Sequence, residues 1–211
     1  MFPDLQLEIL DRFTAVEQFL RNSPKRGDLS QTAKGLVFVQ IYAIYEYTAK
    51  NVTRIAITEI ASHGHNYVDL RASLLAIFLD PQLRSLRDCG DAKTWEKRLE
   101  LFDQALANNP VAAVAAMPHD GSYFKHTQAN LILKTLGIKR TLTVRRHHPY
   151  RIDEVVNHRN SVAHGEETAR DIGRRYSRKE IWSRITLMKR FCLRLIALSS
   201  QHCSNPSRHC R

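Results

Sequence analysis

Two hundred and eleven residues, 43% of them hydrophobic and 25% charged, suffice for a globular core and are too apolar for a disordered chain. With only 8 glycines and 7 prolines, collagen-like, linker-like and turn-dense all-β chains are excluded. A formal net charge of +11 points to a polyanionic partner: nucleic acid, an acidic membrane surface or an acidic protein.

The apolar spacing is helical almost throughout. Leu5, Ile9, Phe13, Val16 and Leu20 predict a helix over residues 3–22, stopped by Asn22-Ser23-Pro24 and Gly27. Asp28 or Ser30 can cap a long second helix running to about Ser62 and ending at His63-Gly64. Its stretch Gly35 to Tyr45 is apolar almost all round and is expected to be buried on several sides. Shorter helices are predicted over Val68–Leu79, stopped by Asp80-Pro81, and over Asp91–Ala107, ending at Asn108-Asn109-Pro110. Residues 110–123 read as a loop, Phe124–Leu136 as a helix capped by Gly137, and 139–150 as a basic connector. A helix from near Arg151 to Gly165 follows, and after a polar stretch Ser177-x-x-Glu180 opens a last helix to about His202 with a capping-box pattern. Strand-like alternation and internal repeats are absent. The expected architecture is one all-α bundle over 1–202, with the second and last helices as its pairing core, then a frayed basic tail over 203–211.

No apolar stretch reaches the roughly 20 residues of a membrane span, and the start Met1-Phe2-Pro3-Asp4 carries no secretory signal. Cys89, Cys192, Cys203 and Cys210 do not form a disulfide framework, so the expected setting is cytoplasmic, with no membrane association. The positive charge is unevenly spread. Residues 1–137 carry 15 basic and 15 acidic side chains, whereas 138–211 carry 17 basic and 6 acidic, so the whole excess lies in the last third.

The chemistry-bearing stretch is Arg159-Asn160-Ser161-Val162-Ala163-His164-Gly165. Asn160 and His164 stand four apart and share a helix face. Arg159 and His164 stand five apart, about 140° around an ideal helix. They converge only through the long arginine stem or through a second copy brought opposite by a two-fold axis. An imidazole that takes the proton of a ribose 2′-hydroxyl, with a guanidinium holding the phosphate, meets the needs of RNA cleavage without a metal.

Arg159-Asn160-x-x-x-His164 resembles the Arg-x(4–6)-His hallmark of HEPN (higher eukaryotes and prokaryotes nucleotide-binding) proteins, in which a polar residue often follows the arginine. Gly35-Leu-Val-Phe-Val-Gln-Ile-Tyr-Ala-Ile-Tyr-Glu46 resembles the long early helix of bacterial stand-alone members. Leu133-x-x-Leu136-Gly137-Ile138, followed by Ile152 to Asn160, resembles the approach to their motif helix. The resemblance implies a helical domain that dimerises, the two motif copies forming one composite site. It also implies a metal-independent endoribonuclease leaving 2′,3′-cyclic phosphate and 5′-hydroxyl ends, as a toxin of a toxin–antitoxin pair or a phage-defence effector. Other members have lost activity and serve as RNA-binding or scaffold domains. The expected catalytic set is Arg159, Asn160 and His164, and the expected partners are RNA, a second copy, and an antitoxin or defence protein.

Tyr42 and Glu46, four apart on the long helix, are candidates for support. Glu46 either pairs with Arg159, fixing its fork, or forms an ordinary pair with Lys50. Glu154 and His158 read as a surface pair. Lys139, Arg140, Arg145 and Arg146 either grip the RNA backbone at the mouth of the site or form a solvated loop. Arg174 and Arg175 can do the same, with Tyr176 stacking on a base. Ten histidines raise the question of zinc, but neither His63/His65 nor His202-Cys203 with His209-Cys210 has a partner pair at zinc-site spacing, so no metal is assigned. GxxxxGK[ST], GxGxxG and GxSxG are all absent, and no cofactor is expected.

Overall fold

A computed structural model describes residues 1–118, 124–142 and 148–210. Among them there are nine α-helices and no strand: α1 (Phe2–Asn22), α2 (Gly27–Ser62), α3 (Ala72–Phe78), α4 (Asp80–Asp88), α5 (Thr94–Ala105), α6 (His126–Thr135), α7 (His148–Ala163), α8 (Ala169–Arg174) and α9 (Arg178–Cys203). The fold is all-α, and no described helix is long and apolar enough to cross a membrane. The described residues fall into two compact units. The first lies within Met1–Asn51, Gly121–Asn130 and Thr141–Ile196, the second within Val52–Asp120, Leu131–Arg140 and Ala197–Arg211.

In the first unit, the residues of α1 spaced three and four apart (Phe2, Leu5, Ile9, Phe13, Val16 and Leu20) are those it buries. Tyr47 of α2 donates to Glu8 Oε2 at 3.0 Å, and the Arg12 guanidinium lies 3.9 Å over the Tyr47 ring, tying α1 to α2. The apolar run on α2 is buried at Val37, Phe38, Ile41, Tyr42, Ile44 and Tyr45. Tyr45 meets Phe191 of α9 edge-on at 5.5 Å, and Lys189 of α9 pairs with Glu17 of α1 at 3.1 Å. The capping box forms: Glu180 N donates to Ser177 Oγ at 3.2 Å and Ser177 N to Glu180 Oε2 at 2.8 Å.

Helix α8 has no counterpart among the predicted elements, because six residues are too few to display a period. Close backbone approach seats it on α2. A Cβ at Gly35 would lie 1.8 Å from the Ala169 carbonyl oxygen, and one at Gly173 1.8 Å from that of Gln31. Only glycine fits either position.

The second unit buries Val52, Ile55, Ile57 and Ile60 of α2 with Leu70, Leu74, Ile77, Phe78, Ile132 and Leu136. Asp80-Pro81 does not merely stop a helix there; it opens α4, because a proline in the first turn lacks only an N–H that would have no helical partner anyway. For the same reason α7 starts at His148, ahead of the expected Arg151, with Pro149 in its first turn. Along α5 and its C-cap, Trp95, Leu99, Phe102 and Leu106 form an exposed stripe. Where a frayed tail from Cys203 is expected, Cys203 and His209 are buried and a 3-10 turn spans Pro206–Arg208. Backbone bonding holds this tail: Arg71 N donates to the His209 carbonyl at 2.9 Å, and Leu70 bridges to Cys210.

Candidate functional site

The Arg159–Gly165 stretch occupies the last turns of α7 and its end. Gly165 N donates to the Val162 carbonyl at 3.2 Å and Glu166 N to that of Ser161 at 2.9 Å, the paired bonds of a Schellman cap. Such a cap needs a left-handed residue, and Gly165 has φ +73°. His164 is thereby placed at the helix end, exposed, with its N–H still bonded to the Asn160 carbonyl at 2.9 Å. Asn160 is buried, while Arg159 is half-buried. Arg159 Nη1 donates to Asn160 Oδ1 at 3.0 Å, and its guanidinium carbon lies 4.6 Å from the centre of the Tyr42 ring. Burial, then the Glu46 carboxylate, pushes the Tyr42 pKa up, so its ring is neutral beneath the cation.

Behind this end of α7 lies a polar network. Tyr176 Oη donates to Glu154 Oε1 at 2.9 Å. With its only proton committed there, the hydroxyl accepts from His158 Nε2, 2.7 Å away, which fixes that ring's tautomer. Arg184 Nε donates to Glu154 Oε2 at 2.9 Å, and both side chains of this pair are nearly buried. Phe38 packs edge-on against His158 at 4.9 Å. Burial lowers the His158 pKa, against the opposing pull of Glu154, and keeps the imidazole neutral.

The model of the family described as HEPN_MAE_28990-like HEPN matches residues 13–201. The chain belongs to this HEPN family. No curated protein and no solved structure matches it.

Arg159 thus contacts both Asn160 and Tyr42, with His164 at the α7 cap. Glu46 pairs with Lys50 at 2.5 Å, the helical i, i+4 alternative, rather than with Arg159. Tyr176 is not presented for base stacking: its hydroxyl is bonded on both sides, its ring lies 5.2 Å from Phe38, and its carbonyl accepts from Lys34. Glu154 and His158 are not a surface pair but the two ends of the Tyr176 relay. Sequence reading missed this network because Tyr176 and Arg184 lie 22 and 30 residues from Glu154.

Among the basic candidates, Arg175 pairs with Glu167 and Arg174 is exposed on α8. Lys139 and Arg140 belong to the second unit, where they line a cavity of about 360 Å³ with Arg71, Arg208 and His202. Arg145 and Arg146 lie outside the described residues. Although no metal was expected, His63, His65 and His209 converge in the second unit, with ligand atoms within 4.8 Å of one another.

Proposed function

We propose that this HEPN chain is a metal-independent endoribonuclease acting as a dimer, with His164 as general base and Arg159 as the phosphate and transition-state binder. His164 takes the proton of a ribose 2′-hydroxyl, and the freed oxygen attacks the adjacent phosphorus. The bond to the 5′-oxygen breaks, leaving a 2′,3′-cyclic phosphate. The departing oxygen takes a proton from the second copy's His164, restoring neutrality. Arg159 compensates the charge that builds on the phosphoryl oxygens. Asn160, bonded to Arg159, positions the guanidinium.

The observation that carries this reading is the end of α7. A cap places His164 at the exposed end of the helix while the arginine is pinned from two sides by Tyr42 and Asn160. Preorganisation of this kind lets a cation act on a developing charge without reorganising first. The excess of basic residues over 138–211 supports a polyanionic substrate. A ribonuclease of this kind suits the role of a toxin or phage-defence effector in the cytoplasm, restrained by a protein partner.

Purified protein incubated with total RNA and EDTA is the test. Cleavage to cyclic-phosphate ends is expected, with a loss of about a hundredfold to ten-thousandfold in Arg159→Ala and His164→Ala. RNA left intact but bound by all three proteins would instead assign a binding module. Absence of salt-dependent binding would remove RNA as the partner.

A further inference from the structure

The histidine cluster of the second unit is built from two segments far apart in the chain. Helix α2 ends at Ser62, and Gly64, with φ +72°, turns the backbone so that His63 and His65 flank the turn. Val111 N donates to the His65 carbonyl at 2.9 Å and fixes the segment that leaves that turn. From the other end of the chain, the Asn205 side chain caps the Pro206–Arg208 turn, and the bonds from Arg71 to the His209 and Cys210 carbonyls, at 2.9 and 2.6 Å, lay His209 against the pair.

The nitrogens then face inward. His209 Nδ1 lies 3.5 Å from His63 Nδ1 and 3.3 Å from His65 Nε2. Two of the outer nitrogens have partners: His209 Nε2 has the His202 carbonyl at 3.3 Å, and His65 Nδ1 has Cys210 Sγ at 3.3 Å. A carbonyl only accepts, so His209 carries its proton on Nε2 and its Nδ1 is a bare lone pair. The Cys210 thiol is both a weak donor and a weak acceptor, so His65 can donate through Nδ1 to the sulfur and leave its Nε2 bare as well. In that tautomer two lone pairs face each other across 3.3 Å, an arrangement that a cation between them stabilises. Metal–nitrogen bonds of about 2.0–2.1 Å in a tetrahedron place ligand atoms about 3.3–3.4 Å apart; His209 Nδ1 stands close to that distance from both of the other rings, in a cluster whose ligand atoms all lie within 4.8 Å of one another.

We propose that His63, His65 and His209 bind one zinc-class divalent transition-metal ion, with water in the fourth position. Imidazole nitrogens suit zinc and its neighbours, and the partners on the outer nitrogens orient the rings as outer-shell groups do in metal sites. His63 and His65 are part-exposed and leave a path for the ion. The ion clips residues 203–210 to the end of α2. The site lies in the unit that does not hold Arg159 and His164, and it stands or falls independently of the nuclease reading.

The experiment uses the full chain without an affinity tag, stripped with EDTA and titrated with zinc chloride by calorimetry. One zinc per chain and a raised melting temperature are expected, with cobalt(II) substitution giving the visible absorption of a tetrahedral site. His63→Gln and His209→Gln should each lower zinc affinity more than about tenfold. His209 is buried, so helical circular dichroism accompanies its variant; the part-exposed His63→Gln is the deciding variant if His209→Gln misfolds. Failure of the wild-type chain to take up zinc, or His63→Gln binding it as the wild type does, overturns the proposal.

Discussion

The guanidinium carbon of Arg159 stands 4.6 Å above the ring of Tyr42, so the motif arginine of α7 rests on an aromatic face supplied by α2. A contact of this kind contributes about 0.5–2 kcal/mol, more as water is excluded. Tyr42→Ala is expected to slow single-turnover RNA cleavage roughly twofold to thirtyfold, since about 1.4 kcal/mol is a decade in rate. Tyr42→Phe should cleave at nearly the wild-type rate, because the ring face remains. Equal loss in both variants would assign the role to the hydroxyl instead.

Gly165 tests the cap in isolation. A Cβ there meets nothing within 4 Å, so the cost of Gly165→Ala is the left-handed backbone alone, about 1–2 kcal/mol. The urea midpoint should fall modestly while cleavage falls further, because the altered residue adjoins His164. Gly165→Asn, which tolerates the left-handed region better, should recover part of both.

Removing Arg184 strands a carboxylate. Its partner Glu154 is nearly buried and also accepts from Tyr176. Arg184→Ala is expected to destabilise the fold by about 3 kcal/mol, measured by chemical denaturation. Combining it with Glu154→Gln should cost less than the two single changes added together.

The same network makes stability depend on pH. Burial lowers the His158 pKa below its ordinary value of 6.5, so the unfolded chain binds this proton more readily than the folded one. The contribution of a neutral His158 is complete above pH 6.5 and is lost as pH falls below it. Urea midpoints at successive pH values should decline on the acid side, and His158→Gln should flatten that decline.

Much of this protein was legible in its sequence for a physical reason: helices are local. The stripe of α1, the all-round apolarity of Gly35 to Tyr45, the Ser177/Glu180 box and the Gly165 cap depend on residues within a turn or two of one another, and each occurs where the spacing places it. Arg159, Asn160 and His164 lie in the last turns and at the end of α7, where their spacing puts them. What only the tertiary structure decided are choices between partners far apart in the chain. Glu46 had Lys50 and Arg159 to choose from and took the nearer. Tyr176 turned inward because Glu154, His158 and Phe38 surround it, a setting its own neighbours in sequence do not announce. His63, His65 and His209 became one cluster across 144 residues because backbone bonds to Arg71 carry the tail there. Spacing rules see ligands on one segment; convergence of two segments is a property of the folded chain.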